Sequence, residues 1–266
     1  MTIVFDEHSW AKEMIRTRSL GKSSSETLRR VARYYLDCGH DKKEVRSMLD
    51  AFLLQCDPTA SLVKWSPVID RAVAHAVKHP AVRIGHIDIT KPELDRITAI
   101  DSRQLRRLAF ALLSLSKYWD AYYGKSSHWV YTPVSKVMAM ANLNTSIKRR
   151  SQMFRKLSDL GLIAFSEKID NTNVRVLFAE PGDTAVSVTD PRNLGYQLNM
   201  ALGERDYFVC ENCGIVSKKN KREDARGRAQ KYCPTCAVEV FTRQRVNSAM
   251  RHYTKTVGSD TKICEK

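Results

Sequence analysis

The chain has 266 residues and a formal net charge of +15, with 43% hydrophobic and 27% charged residues. This length suits one large domain or two to three small ones, and the composition is that of an ordinary globular protein. No apolar run approaches the roughly 18 residues that a membrane span needs. The N-terminus also lacks the basic start and apolar core of a secretory signal. We therefore expect a cytoplasmic protein with no membrane partner.

The positive charge is concentrated in two segments. Residues 102–180 hold 13 Lys and Arg against 5 Asp and Glu, and residues 205–266 hold 14 against 7. Residues 1–101 are close to neutral, with 16 against 14. Clustered positive charge indicates a polyanion partner, most often nucleic acid. A basic surface that serves only solubility is the alternative.

The first 85 residues predict a bundle of helices. Asp41 and Glu44 form a capping-box pattern, and Ser66 followed by Pro67 reads as the start of a later helix. We assign no role to this domain from the sequence. The helices are expected over residues 7–18, 23–39, 41–56 and 66–80.

The central segment predicts three helices followed by a hairpin. The most apolar helix is expected at 102–123, a short helix runs from Pro133 to about Ala141, and a basic helix lies at 145–160. Two strands follow within residues 162–169 and 173–178, around a tight turn. A short extended linker, with one strand as an option, is expected at 82–94, and a connector rich in Pro, Gly and Asp is expected at 180–195.

This order resembles the winged helix-turn-helix superfamily of DNA-binding proteins. The resemblance covers about residues 103–180 and is carried by VSKVMAMANLNTSIKRRSQMFRKLSDLGLIAF and the following SEKIDNTNVRVLF. Such domains often end the recognition helix in Leu-x-x-Leu-Gly-Leu-Ile, which residues 157–163 match, and Gly161 is expected to supply the left-handed turn that ends the helix. The resemblance implies a basic helix in the DNA major groove and a hairpin wing beside it. A winged helix used only for structural or protein contacts is the alternative.

One face of the basic helix is the predicted contact surface. We expect Ile147, Phe154, Leu157 and Leu160 to face inward and the basic residues to face outward. Arg, Lys and Gln read base edges or bind phosphate in a major groove, and hydroxyls at a helix N-terminus suit a phosphate. Two basic residues flank the predicted wing. The candidates here are Thr145, Ser146, Lys148, Arg149, Gln152, Arg155, Lys156, Lys168 and Arg175.

Four of the seven cysteines have the spacing of metal ligands. CENC and CPTC are separated by residues 214–232, a spacer typical of structural zinc sites. Four thiolates suit tetrahedral Zn²⁺, and no histidine lies between the two pairs. We expect one structural zinc ion; a redox role for the pairs is the weaker alternative. The predicted metal ligands are Cys210, Cys213, Cys233 and Cys236.

The tail, residues 205–255, resembles the small zinc-ribbon tails of phage and mobile-element proteins. The likeness is carried by CENCG, by KYCPTCA and by the basic segment AVEVFTRQRVNSAMRHY that follows. A ribbon that only packs against the body of the protein or against a partner is the alternative. The further nucleic-acid candidates are Lys218, Lys219, Lys221, Arg222, Arg243 and Arg245.

Together these patterns predict a mainly α protein of the α+β kind. Its domains are a helical bundle at 1–85, a winged helix with a β-hairpin wing at 102–180 and a zinc ribbon with a basic helix at 205–255. Because no P-loop, dinucleotide-binding, nucleophile-elbow or paired-carboxylate motif occurs, we do not expect an enzyme.

The expected function is duplex DNA binding, as a transcription regulator or a replication initiator of the phage or mobile-element type. A homodimer and a host protein partner stay open. Two other hypotheses also stay open: a phage-encoded inhibitor that binds a host nucleoprotein or defence complex, and an RNA-binding protein.

Overall fold

The computed structural model describes residues 3–167, 173–220 and 229–260, and only the backbone of residues 251–260. About 55% of the chain is helical, in 10 helices within these ranges, and small antiparallel sheets account for the β structure. The expected mainly α class with some β is confirmed. None of the helices in the described ranges has the length and apolar character of a membrane span. Lys168, Lys221 and Arg222 lie outside the described residues.

Four helices form the N-terminal bundle. The expected capping box is present, with Asp41 and Glu44 each accepting backbone N–H groups. The predicted start at Ser66 is wrong, because the fourth helix begins four residues earlier and has Pro67 inside it. The extra turn allows Trp65 to pack against the bundle core. The helices are α1 (Glu7–Arg16), α2 (Ser24–Asp37), α3 (Lys42–Cys56) and α4 (Leu62–Lys78).

A buried ion cluster joins α1 to α2. Glu7, only 1% exposed, accepts a hydrogen bond of 2.9 Å from Arg33 Nη2, and Arg30 Nε lies 3.5 Å from the same oxygen. Arg30 also lies 3.1 Å from a carboxylate oxygen of Glu26 and stacks on Trp10 at 5.1 Å. Buried charges are tolerated only when they are paired, so this cluster fixes the packing of the two helices.

The central core surrounds one long helix. Twelve of the 21 residues of α6 (Arg103–Tyr123) are buried, which means that neighbours cover the helix on most sides. Three strands form an antiparallel sheet in the order β2, β4, β3. The neighbouring elements are α5 (Lys91–Thr98), β2 (Trp129–Val130), α7 (Val134–Met140), α8 (Ile147–Asp159), β3 (Ile163–Phe165) and β4 (Val174–Val176).

Both expected connectors contribute strands to this core. The strands β1 (Ile87–Thr90) and β5 (Thr184–Val188) pair antiparallel, with Ile87 opposite Val188. The side chains of Ile87 and Val188 are buried in the central cluster, together with Ile3 and Phe5 from the start of the chain. Strand pairing therefore draws residues from three distant segments into one core.

The C-terminal unit combines a hairpin with two helices. It contains α9 (Leu194–Ala201), β6 (Tyr207–Val209), β7 (Val216–Lys218) and α10 (Pro234–Asp260). The sequence did not predict α9, which packs between α6 and the β6–β7 hairpin. Every side chain from Phe241 to Met250 on α10 is exposed.

Replacing Glu7 by alanine should destabilise the bundle by about 3 kcal/mol, because it leaves Arg30 and Arg33 buried without that carboxylate. Denaturant unfolding followed by circular dichroism measures this loss. Glu13→Ala is the matched control, because Glu13 lies on the same helix and forms only an exposed pair with Arg16. Equal stability of the two variants would contradict a structural role for the buried cluster.

Candidate metal centre and basic surface

The four predicted metal ligands converge at one point. The sulfur atoms of Cys210, Cys213, Cys233 and Cys236 all lie within 4.8 Å of one another, and no disulfide joins them. The Cys213 and Cys233 sulfurs are 3.8 Å apart. A tetrahedral site with metal–sulfur bonds of about 2.3 Å separates its sulfur atoms by about 3.8 Å. The cluster therefore has the dimensions of a four-coordinate metal site and can hold one metal ion.

Two short loops bring these cysteines together. The first pair lies in the turn between β6 and β7, where Gly214 adopts a left-handed φ of +70° and its N–H donates to the Cys210 carbonyl at 2.9 Å. The second pair lies at the start of α10. Cys210, Cys233 and Cys236 are also the buried residues of this unit's hydrophobic cluster. Because cysteines supply the buried residues around this loop, a bound metal ion would contribute to the folding energy there.

Two of the sulfur atoms accept hydrogen bonds, which stabilise the thiolate form. The backbone N–H of Cys233 donates to Cys210 Sγ at 3.3 Å, and Asn212 Nδ2 donates to Cys236 Sγ at 3.3 Å. Burial opposes ionisation of Cys210, but the backbone N–H groups of Cys233, Cys213 and Asn212 outweigh it and lower its pKa to about 6. Burial raises the pKa of Cys213 to about 12 and also raises that of Cys233.

The basic helix presents one cationic face to solvent. Its buried residues are Met153, Phe154 and Leu157, which attach it to the central core. The opposite face is exposed, and no carboxylate lies within 4.0 Å of its four cations among the described residues. The exposed residues on this face are Lys148, Arg149, Gln152, Arg155 and Lys156.

The inward side of this helix differs from the expectation at both ends. Ile147 is 77% exposed and Leu160 is 57% exposed, so neither residue helps to bury the helix. Ile147 begins α8 beyond the edge of the core, and Leu160 is the C-cap, where the helical spacing no longer applies. Met153, which was not expected to face inward, is buried against the core. The left-handed turn predicted at Gly161 is present, with φ of +68°.

Of the two hydroxyls at the start of α8, only one faces solvent. The Thr145 hydroxyl oxygen is buried without a hydrogen-bond partner among the described residues, so the expectation that it meets a phosphate is not supported by its position. Ser146 is the exposed N-cap and accepts from the Arg149 N–H at 3.3 Å. Arg150, which the sequence reading left out, donates to the Thr145 carbonyl at 3.1 Å and holds this turn.

The remaining basic candidates lie on other elements. Arg175 is exposed in the middle strand β4, between Trp129 and Ala164 of the neighbouring strands. Lys218 ends β7 and is exposed, Lys219 follows it and is half-buried, and Arg243 and Arg245 are exposed on α10. Asn212 is the residue near the cluster that sequence reasoning missed, although its place inside CENC was the available signal.

Comparisons with protein-family models, with curated proteins and with solved structures found no match to this chain.

Replacing Cys236 by serine should abolish stoichiometric metal binding, because one of the four ligands is lost. Metal analysis of the purified protein measures this directly. Cys38→Ser is the control, since Cys38 is an exposed thiol of the bundle, and it should retain one ion per chain. A Cys236→Ser protein that keeps a full ion would contradict the assigned ligand set.

Metal affinity should rise with pH, because Cys213 and Cys233 have raised pKa values and must each release a proton to bind. Competition with a chelator between about pH 6 and about pH 8 should show the logarithm of metal affinity rising by at least about two per pH unit, because Cys213 and Cys233 each release one proton and Cys236 must also bind as a thiolate. Cys210, whose pKa is about 6, adds little to this slope over the upper half of the range. An affinity that does not change with pH would contradict a thiolate site.

Proposed function

We propose that this protein binds duplex DNA through the exposed face of α8 and that a structural Zn²⁺ ion holds its C-terminal ribbon. The observation that carries the proposal is the cationic face itself: Lys148, Arg149, Arg155 and Lys156 are exposed on one side of a single helix without a nearby carboxylate among the described residues.

Arginines elsewhere on the surface contrast with this face. Many of them lie against a carboxylate, whereas Arg155 does not pair even with Asp159, four residues along its own helix. A helix that carries charge only for solubility usually mixes signs to gain such pairs. Unpaired cations on one face instead suit an external polyanion. The paired arginines include Arg16, Arg46, Arg96, Arg103 and Arg192.

The arrangement around α8 supports a winged helix-turn-helix reading. The order α6, β2, α7, α8, β3, β4, with β4 in the middle of the sheet, is the order expected of that class. In this reading α8 enters the major groove, and Arg175 lies in the sheet that carries the wing. Arg and Lys side chains there contact phosphates and guanine edges.

The four-cysteine cluster supports zinc as the bound metal. Soft thiolate ligands in tetrahedral geometry select Zn²⁺ over harder divalent ions, and four protein ligands leave no open position for catalysis. We therefore assign the ion a structural role and do not propose an enzymatic activity. Transcription regulation and replication initiation are both consistent with this mode of binding.

The double variant Arg149→Glu/Arg155→Glu should weaken binding to a random-sequence duplex pool by roughly 100-fold at low salt. Each lost phosphate contact also removes about one unit from the slope of log affinity against log salt. Fluorescence anisotropy measures both quantities, and circular dichroism with metal analysis checks that the fold and the ion are retained.

Lys42→Glu/Lys43→Glu is the matched control. It changes the net charge by the same amount, but its residues are exposed on α3 in the bundle. We expect this control to bind nearly as well as the natural chain. If both double variants lose affinity equally, the net charge rather than the α8 face governs binding, and the site assignment is wrong.

Two outcomes would favour the other functions. Preference for structured RNA over duplex DNA in direct competition would indicate an RNA-binding protein. Absence of duplex binding at low salt, together with a stoichiometric protein partner recovered in a pull-down, would indicate an inhibitor of a nucleoprotein complex.

A further inference from the structure

Two asparagine side chains connect the turn before α8 to the ribbon. Asn142, in the turn between α7 and α8, donates through Nδ2 to Asn193 Oδ1 at 2.9 Å. Asn193 in turn donates through Nδ2 to the Val216 carbonyl of β7 at 2.9 Å. The turn that begins the basic helix is thus two side chains away from the hairpin that carries the metal ligands.

Backbone groups at both ends of this chain of hydrogen bonds fix its direction. The Tyr196 N–H donates to Asn142 Oδ1 at 3.1 Å, so the Asn142 amide nitrogen must face Asn193. Asn193 then presents its own amide nitrogen to the Val216 carbonyl, which accepts only. Both asparagines have left-handed backbone, with φ of +56° and +54°, a conformation that asparagine adopts more readily than most residues.

The N-terminus of α9 lies directly against the same turn. A Cβ atom on Gly195 would lie 2.1 Å from the Ala141 carbonyl oxygen, so only glycine permits this approach. The Tyr196 N–H of α9 donates both to Asn142 Oδ1 at 3.1 Å and to the carbonyl of Asn193, the N-cap of its own helix, at 2.9 Å. The turn and α9 therefore behave as one packed unit.

The other end of the connection depends on the metal loop. Val216 pairs with Val209, and the Cys210 N–H donates to the Ile215 carbonyl at 3.0 Å. The loop between these strands contains Cys210 and Cys213, and the buried residues of its cluster are cysteines. A bound ion would therefore add to the strand pairing and to the burial of Val216 in fixing the position of the Val216 carbonyl.

A separate contact keeps β6 on the core. The Tyr207 hydroxyl accepts from Arg107 Nη2 of α6 at 2.7 Å and lies 2.9 Å from Asn199 Nδ2 of α9. This anchor contains no cysteine. Loss of metal should therefore loosen β7 and the loop rather than detach the whole ribbon.

We infer that the metal centre positions the basic helix for its nucleic-acid partner. Metal binding fixes the position of the Val216 carbonyl. Asn193 is hydrogen-bonded to this carbonyl and Asn142 to Asn193, so the turn at 141–146 and the start of α8 are fixed as well. Both asparagines are positioning residues, because they act through α8 and not by contact with DNA. The consequence for DNA affinity rests on the proposed function, whereas the connection between metal and turn does not.

The test compares the full chain with Zn²⁺ bound and after removal of Zn²⁺ by a chelator. Hydrogen exchange of the backbone amides of residues 142–148 reports the order of the turn, and anisotropy with the random duplex pool reports DNA affinity. In the natural chain we expect zinc removal to raise the amide exchange rate of residues 142–148 and to lower the affinity for duplex DNA, each by roughly tenfold.

Asn193→Gly separates the connection from the metal itself. Glycine keeps the left-handed backbone accessible but removes both side-chain hydrogen bonds. This variant should keep one zinc ion, yet its exchange and affinity should match those of the zinc-free natural chain. Asn142→Gly should behave in the same way, whereas Asn247→Ala, at an exposed position on α10, should behave like the natural chain.

Each outcome has a distinct meaning. If zinc removal and Asn193→Gly leave exchange at residues 142–148 unchanged, the inference is wrong, whatever the DNA result. If exchange responds as expected but the natural chain binds no duplex DNA, the connection stands and the proposed function fails. If Asn193→Gly does not fold, the zinc-removal experiment on the natural chain decides alone.

Discussion

Burial of α6 is the constraint on which the rest of this structure depends. The helix is covered by β1, α5, β2, α7, α8, β4 and α9, and its Tyr118 stacks on Phe5 from the start of the chain at 5.6 Å. Apolar side chains around most of its circumference exclude water and hold these elements in fixed places. The candidate residues on α8, on β4 and on β7 are each placed by an element that contacts α6 or its neighbour α9.

The buried arginines of the bundle are paired with carboxylates, whereas the exposed cations of α8 are not, within the part of the chain that the structure describes. In the bundle, Arg30 and Arg33 are buried and face Glu7 and Glu26, because an unpaired charge there would cost several kcal/mol. On α8 the cations are exposed, so water screens them and no internal partner is needed. Like charges on neighbouring turns still repel one another by a few tenths of a kcal/mol per pair, which a polyanion would relieve.

The β6–β7 hairpin and the basic helix are linked through the core rather than by a flexible tether. Tyr207 attaches β6 to α6 and α9, and Asn193 attaches β7 to the turn before α8. A flexible tether would let the two regions move separately, whereas a packed connection gives them one fixed geometry. The close approach of Gly195 to Ala141 has the same effect, because it leaves no room for sliding.

Local patterns were sufficient to predict the parts of the protein that depend on near neighbours in the chain. The Cys-x-x-Cys spacing, the capping box at Asp41 and the left-handed turn at Gly161 each follow from a few consecutive residues, whose geometry the backbone itself restricts. The mainly α class follows for the same reason, since helical periodicity is a local signal.

Other features were decided only by tertiary structure. Two contacts join residues that are far apart in the chain: Ile87 pairs with Val188, and Asn142 bonds to Asn193. The sequence near one partner does not predict the other. The exposure of Ile147 and Leu160 depends on where the core ends. A helical wheel shows only which side of the helix a residue is on and does not show where the core ends. The sequence by itself thus determined most of the helices and the four cysteines of the candidate metal site. Packing decided which helix faces stayed open and how the β6–β7 hairpin is held, because burial is a property of the assembled chain.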